Sequence, residues 1–180
     1  KTNSINPQIK LAAISSVQPG LKDEILLEFH PLGNDNFEGD KDALKLRNAE
    51  TMPMLWSIAD ENLSINRCKE FEVEKQVPLG FSSATAGNYF IAPNLDDIPS
   101  HWTVYLEDQI TNKWHDFKGG DFQFLHQAQN RANRFVLHFY KTNPPKIEDG
   151  KKINAWVFVA DEQLTVRFSN TSDRVSVFVS

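Results

Sequence analysis

The sequence predicts an all-β fold: an antiparallel, jelly-roll-like β-sandwich followed by the start of a second, small β unit. Apolar and polar residues alternate over most of the chain, which is the pattern of strands with one buried face. Short polar turns that contain glycine, proline or asparagine separate these runs, as they do in sandwiches and barrels. The 13 Phe and four Trp residues supply bulky side chains for the interior between packed sheets.

The first predicted strands lie in the N-terminal half of the chain. They are short alternating runs at 9–11, 25–29, 63–65 and 77–81. Pro78 interrupts the fourth run and cannot donate to a ladder, so we expect this strand to lie at a sheet edge or to begin there. Residues 40–47 have room for one helical turn at most.

The later predicted strands begin after the turn pair Gly87-Asn88. They cover 89–91, 102–106, 122–124 and 135–139. In the second of these runs, Trp102 shares a face with two aliphatic residues and is expected in the core, whereas Tyr105 points to the opposite face. His138 lies between two apolar residues and is therefore expected on the outer face of its strand.

A domain boundary is predicted at Pro144-Pro145, which cannot continue a ladder and precedes a polar stretch. This boundary places a β-sandwich module at 5–142, a linker at 143–152 and a partial second β unit at 153–180. The chain opens without a Met or an apolar signal core, and its last residues have the pattern of mid-strand. We therefore expect a fragment of a longer protein.

Charge and cysteine content exclude several function classes. The formal net charge is −5, and the 19 Lys and Arg residues are scattered, so neither nucleic acid nor an anionic membrane surface is an expected partner. No apolar run approaches the roughly 20 residues that cross a bilayer, so no membrane insertion is expected. The sole cysteine, Cys68, follows Asn66-Arg67 in a predicted polar turn and is interpreted as an incidental thiol.

The sequence contains no recognisable catalytic constellation, and we predict that the chain is not an enzyme. The adjacent acids Glu107-Asp108 and Asp96-Asp97 are expected at solvated strand ends and turns. Neighbours on a strand point to opposite faces, so neither pair can act as acid and base across a cleft. The five His residues lack the spacing of a metal site.

The acidic loop at 34–42 has the greatest capacity for binding a metal ion. Its carboxylates Asp35, Asp40 and Asp42 are candidate Ca²⁺ ligands, because Ca²⁺ takes about 6–8 oxygen ligands. The spacing does not match an EF-hand loop, and Lys41 opposes a cation. The commoner outcome for such a loop is a solvated turn in which Asp42 caps a short helical stretch. Apart from this candidate ion, no cofactor is predicted.

Two aromatic residues are candidates for binding a glycan. Carbohydrate-binding sandwiches stack exposed Trp or Tyr rings on sugar faces. Tyr105 lies opposite the predicted core face, and Trp114 lies in or beside a turn. The alternative is that both rings are half-buried parts of the surface packing, as amphipathic rings often are.

Several stretches resemble a module common in large surface proteins of Bacteroidetes-type bacteria. Residues 104–108 resemble its leucine-acid-aspartate strand end. Residues 120–124 resemble its glycine-aspartate-aromatic-x-phenylalanine strand, and 133–139 its arginine-phenylalanine strand. The segment 37–46 resembles its acidic loop, and 77–81 with 87–89 is similar to a further part of the module, in the right order. Together the resemblance covers roughly residues 8–141.

In that family the module stands directly before a small β-sandwich sorting domain that the type IX secretion system recognises. Residues 153–180 resemble the start of such a domain, without its terminal strands. The resemblance implies a secreted or cell-surface protein whose C-terminal segment has the type IX translocon as its partner. The function it predicts is that of a non-enzymatic stalk or adhesion module. The alternatives are a carbohydrate-binding module with a surface glycan as partner, and an accessory domain of a larger surface hydrolase.

Overall fold

Strands make up nearly all of the regular structure in residues 6–141, 154–160 and 163–169, which are the part of the chain that the computed structural model describes. The chain divides into two units, Lys1–Ile147 and Glu148–Ser180. The strands of the first unit are β1 (Gln8–Ser15), β2 (Lys22–His30), β3 (Ala43–Leu44), β4 (Met54–Ile58), β5 (Asn62–Lys69), β6 (Glu74–Ser82), β7 (Gly87–Asn94), β8 (Thr103–Asp108), β9 (Lys113–Asp116), β10 (Phe122–His126) and β11 (Asn133–Tyr140). The all-β prediction is confirmed.

The second unit contains an antiparallel hairpin. Its strands are β12 (Asn154–Ala160) and β13 (Gln163–Ser169), joined in a regular register along their whole length. The predicted linker at 143–152 and the strand predicted near the C-terminus lie outside the described residues.

The strands of the first unit form one mixed sheet. Its hydrogen-bonded order is β10-β7-β1-β2-β5-β4-β6-β11-β8-β9, with β3 added to β5. All pairs are antiparallel except β2 and β5, which run parallel, so the purely antiparallel prediction is wrong for this pair. The chain between β2 and β5 includes β3 and β4, and this long excursion returns the chain in the same direction. The finer prediction of two separate sandwich sheets is not confirmed, because a single path joins the strands.

This sheet wraps around an aromatic interior. The rings of Phe29, Trp102 and Phe139 meet edge to face, with Phe29 5.4 Å from Trp102 and 4.7 Å from Phe139. A second group centres on Phe124, whose ring lies 5.0 Å from that of Phe81. Trp102 is only 4% exposed, which confirms its predicted place in the core. These perpendicular contacts are the arrangement that ring quadrupoles favour.

The two ends of the sheet path approach each other, so the sheet is nearly closed. His115 of β9 donates from Nε2 to the carbonyl oxygen of Gly120, 2.8 Å away, just before β10 begins. Its ring also lies 5.5 Å from that of Phe122. A short 3₁₀ helix, Phe117–Gly119, makes the connection, and Asp116 caps it by accepting from the backbone of Lys118. The edges of the sheet are thus drawn together.

Pro78 lies inside the sheet, since β6 pairs with β4 on one side and β11 on the other. The prediction of an edge strand is therefore wrong for the whole strand. At Pro78 itself, the expectation that proline avoids a position where a backbone donor is needed still applies. The β4 ladder reaches Leu79 and stops, while Pro78 is opposite Val136 of β11. Proline thus occupies a position just beyond one ladder, where the missing donor costs no interstrand bond.

Cys68 lies in β5 and is buried, so its prediction as part of a polar turn is wrong. The polar residue that suggested a turn, Asn66, is itself buried and donates to the Ser57 hydroxyl at 3.3 Å. Its amide oxygen accepts from the Cys68 thiol. Burial raises the pKa of Cys68 to about 12, so the thiol stays protonated and unreactive at neutral pH.

Candidate functional site

The outward surface of four neighbouring strands holds both predicted glycan-binding rings. Residues directly opposite one another in an antiparallel sheet share a face, so the register of β6, β11, β8 and β9 defines rows of side chains. We call this surface the ring face. Its rows are Pro78, Val136, Glu107 and Trp114; then Gln76, His138, Tyr105 and Asp116; then Glu74, Tyr140 and Thr103.

The rings of this face are in contact. Tyr105 lies 6.3 Å from Trp114 and 6.3 Å from Tyr140, at interplanar angles of 67° and 72°. Trp114 in turn lies 4.2 Å from the imidazole of His138. Tyr105 and Trp114 are half-buried, whereas Tyr140 is buried. The structure therefore brings together the two rings that the sequence selected, but at an angle rather than in one plane.

A buried ion-pairing group lies under Trp114. His138 Nε2 donates to Glu107 Oε2 at 3.1 Å, and both side chains are less than one-tenth exposed. The predicted outward position of His138 is confirmed by its register with Tyr105. The predicted solvation of Glu107 is wrong, because the Trp114 ring and the neighbouring strands cover it. A hydrogen-bonded pair held beneath a half-exposed ring helps to fix the orientation of that ring.

Asp108 points away from the ring face and is also buried, so its prediction as a solvated strand end is wrong as well. Its carboxylate accepts two hydrogen bonds from Arg134, at 3.0 and 2.7 Å. Arg134 also donates to the carbonyl oxygen of Leu125 in β10, 2.8 Å away, and lies over the Phe124 ring. Burial acts to raise the pKa of Asp108, but the bonds and charge of Arg134 outweigh it and hold that pKa below its usual value.

Glu107 and Asp108 point to opposite sides of β8, as the sequence predicted for adjacent residues of a strand. Glu107 contacts His138 on the ring face, and Asp108 contacts Arg134 on the other side of β8. Two carboxylates that face opposite sides of one strand cannot share a substrate. Each acid has a structural partner of its own.

The candidate Ca²⁺ ligands are engaged with different parts of the fold. Asp42 accepts from the backbone nitrogens of Glu38 and Arg67, each at 2.7 Å, and so ties a single turn to β5. Asp35 pairs with the ammonium of Lys75, and Asp40 is exposed. Within the described parts of the chain, no group of three or more His, Cys, Asp or Glu residues is arranged to hold a metal ion.

The described part of the first unit also contains clefts, the smaller of which borders the ring face at Gln76 and Pro78. The larger, of about 370 Å³, is lined by the loop from Arg47 to Met54 and by Ser82, Ser83 and Ala84. The smaller, of about 160 Å³, lies beside Cys68 and Lys75. Asp35, a candidate Ca²⁺ ligand, lines the smaller cleft, and none of the selected site residues lines the larger one. No helix in the described residues is long and apolar enough to span a membrane.

The sequence revealed two members of the ring face and missed the others. Glu107 and Asp116 lie on the consecutive strands β8 and β9, whereas His138 and Tyr140 lie later in the chain on β11, and only the order β11-β8-β9 places all four side by side. One signal was available. In β11 the outward positions carry His138 and Tyr140, although a solvated face normally carries smaller polar residues there.

The chain belongs to a protein family that is described as a domain of unknown function (DUF8693), which matches residues 14–139. The match runs from the end of β1 into β11 and includes every residue of the ring face except Tyr140. No curated protein and no solved structure shows significant similarity to the chain. Family membership assigns no activity, so a function has to be argued from the first unit itself.

Proposed function

We propose that this member of the DUF8693 family is a non-enzymatic module of a secreted or cell-surface bacterial protein, a stalk or adhesion domain exported by the type IX secretion system. The observation that carries the proposal is the single wrapped sheet of the first unit, whose ends are drawn together. A hydrogen-bonded path around one aromatic core makes a stiff body, as a spacer requires. The resemblance to modules that precede a sorting domain supplies the export route and the translocon as partner.

The second unit supports the same proposal, because it contains a regular β hairpin and follows the first unit in the order that the resemblance implies. The test uses the parent protein in its native bacterium. Deletion of 153–180 should leave the protein inside the cell. Replacement of residues 6–141 by an unrelated β domain of similar length should leave export and surface display unchanged. Surface display after the deletion would contradict the sorting role.

Glycan binding is a second candidate function, and the cluster of Tyr105, Trp114 and Tyr140 favours it. The half-exposed rings of Tyr105 and Trp114 can stack on the apolar face of a sugar, while nearby acids accept from its hydroxyl groups. The buried pair Glu107–His138 holds Trp114 in place from below. The angle between the rings favours a ligand that bends across them.

Affinity electrophoresis in gels containing soluble polysaccharides tests this second function. Trp114→Ala and Tyr105→Ala should each reduce retardation of the protein. Leu125→Ala removes a side chain that is 55% exposed outside the ring face, and it serves as the matched control. Equal mobility of the wild type and both ring variants in every gel would exclude the ring face as a glycan site.

A further inference from the structure

The ring face carries an excess of negative charge. Three of its residues are acidic, namely Glu74, Glu107 and Asp116, and His138 is its only basic residue in the rows defined by the register. Glu107 accepts from His138. The remaining acids are Glu74, which is exposed beside Tyr140, and Asp116, which is half-exposed beside Tyr105 and accepts from the backbone of Lys118 with one oxygen. No Lys or Arg lies in these rows.

The two tyrosines respond to this charge. Burial raises the pKa of Tyr105, and the carboxylate of Asp116 raises it further. Burial also raises the pKa of Tyr140, with added contributions from Glu74, Tyr105 and Glu107. Burial disfavours any charge, but the neighbouring carboxylates, which raise these pKa values by repelling a phenolate, attract a cation for the same electrostatic reason.

Ring geometry adds to the preference for a cation. The faces of aromatic rings attract ammonium groups, most strongly those of Trp and Tyr. Tyr105 stands nearly perpendicular to both Trp114 and Tyr140, so the surface is a ring corner rather than a flat platform. Asp116 is directly opposite Tyr105 on the neighbouring strand and brings a carboxylate to that corner.

We propose that the ligand of the ring face is a glycan with free amino groups, a polymer of amino sugars whose ammonium groups meet Asp116 and Glu74 while a sugar ring stacks on Trp114. This inference rests on the second candidate function and names its substrate class. A lysine side chain offers one ammonium on a flexible stem. An amino sugar offers an ammonium and an apolar ring face on one rigid scaffold, and so it uses both the rings and the carboxylates.

A matched pair of ligands tests the charge. Hexamers of glucosamine and of N-acetylglucosamine have the same sugar backbone, but only the first carries amino groups. They are titrated into the whole chain by calorimetry in a mildly acidic buffer, in which the amines and carboxylates are both charged. We expect the glucosamine hexamer to bind about tenfold more tightly or better, a ratio that corresponds to ~1.4 kcal/mol. This preference should shrink as salt is added, because Glu74 is exposed and Asp116 is partly exposed, so that salt screens both carboxylates.

Variants separate the charges from the rings. The double variant Asp116→Asn with Glu74→Gln should bind both hexamers equally. Trp114→Ala should weaken both. The control, Glu24→Gln with Glu61→Gln, makes the same charge change at exposed sites outside the ring face and should keep the preference. Circular dichroism of each variant establishes that it is folded.

Each other result overturns the proposal in a distinguishable way. Equal binding of both hexamers by the wild type would support glycan binding but contradict the preference for amino groups. Binding of neither hexamer, together with retardation in a neutral polysaccharide gel, would also contradict only the preference for amino groups. If no glycan binds in either assay, both glycan binding and the preference for amino groups are contradicted. Tighter binding of a lysine hexapeptide than of the glucosamine hexamer would replace the sugar with a basic peptide.

Discussion

Arg134 is the residue on which the first unit depends most visibly. It is 2% exposed, is paired with a carboxylate that is 1% exposed, and donates to β10 from its third nitrogen. The guanidinium therefore links β8, β10 and β11. A buried ion pair of this kind is costly to break, because the remaining partner is left charged and without solvent.

Arg134→Met should lower the free energy of unfolding by about 3–5 kcal/mol, because Asp108 would be left as a buried and uncompensated carboxylate. Urea denaturation near neutral pH measures the loss. Asp108→Asn combined with Arg134→Met should cost clearly less than the sum of the two single changes, since the pair is then removed together. Additive losses would show that the two side chains do not interact in solution.

The same pair predicts a pH dependence. The pKa of Asp108 is lower in the folded protein than in the unfolded chain, where it is about 4. Its contribution is therefore complete above about pH 4 and is lost as the pH falls through the folded value. This loss of stability occurs well below the pH range in which histidines titrate, so it can be measured separately from the effect of a histidine.

His126 provides the second residue-scale prediction. Burial lowers its pKa, Nε2 donates to the Ser83 carbonyl at 2.9 Å, and Nδ1 is buried with no hydrogen-bond partner among the described residues. Above about pH 6.5 the imidazole is neutral in both states. As the pH falls below that value the unfolded chain takes up the proton first, so stability declines.

His126→Gln should reduce this decline, because glutamine keeps a donor for Ser83 and does not titrate. The measurement is the urea midpoint of both proteins at about pH 7.5 and about pH 5.5, on either side of the ordinary histidine pKa. The wild type should lose more stability than the variant between these two conditions. An equal loss in both proteins would mean that another group is responsible.

At the scale of elements, Gly80 explains how β4 and β6 pack. It lies opposite Trp56, and the indole rests on its α-carbon. A β-carbon at residue 80 would lie 2.0 Å from the indole ring, which is impossible without a shift. Trp56 is 4% exposed and is enclosed on its other sides, so it has little room to move.

Gly80→Ala should therefore destabilise the protein by about 1–3 kcal/mol through overpacking. Gly20→Ala is the matched control, since a β-carbon at residue 20 meets no atom within 4 Å. Thermal unfolding followed by circular dichroism compares the two variants. A drop in Tm that is no larger for Gly80→Ala than for Gly20→Ala would mean that the indole moves aside freely.

Strands were predictable from the sequence where one face is buried and the other is polar. Trp102, just before β8, and Tyr105, within it, were assigned to the correct faces because alternation is a local property. The parallel pairing of β2 with β5 was not predictable, because pairing partners depend on the path of the chain and not on any one strand. Asn66 led to the wrong prediction for β5, because the sequence alone does not distinguish a buried asparagine that has a hydrogen-bond partner from an asparagine in a turn.

The candidate site was predictable only in part, for the same reason. Tyr105 and Trp114 could be selected as rings outside the core. Their contact with His138, and the position of Glu107 below them, depend on the register of three strands. That register follows from how all the strands share the core, which no single segment determines.

For the molecule as a whole, the continuous sheet implies that residues 6–141 unfold as one cooperative unit. The aromatic groups around Phe29 and Phe124 both belong to the same core. Far-ultraviolet circular dichroism and tryptophan fluorescence should report one coincident transition for this unit in urea. Two separated transitions within this unit, measured on a chain that ends at residue 141, would show that the two aromatic groups are independent.

The convergence of β9 and β10 also limits how copies of the chain meet each other. Unpaired strand edges recruit further strands from neighbouring molecules, and fibres grow by this route. Here the Leu125 carbonyl already accepts from Arg134, and the turn before β10 is held by His115. A concentrated solution should therefore stay free of β-fibres while these contacts between β9 and β10 are intact. Loss of the Arg134 guanidinium should be enough to start fibre growth.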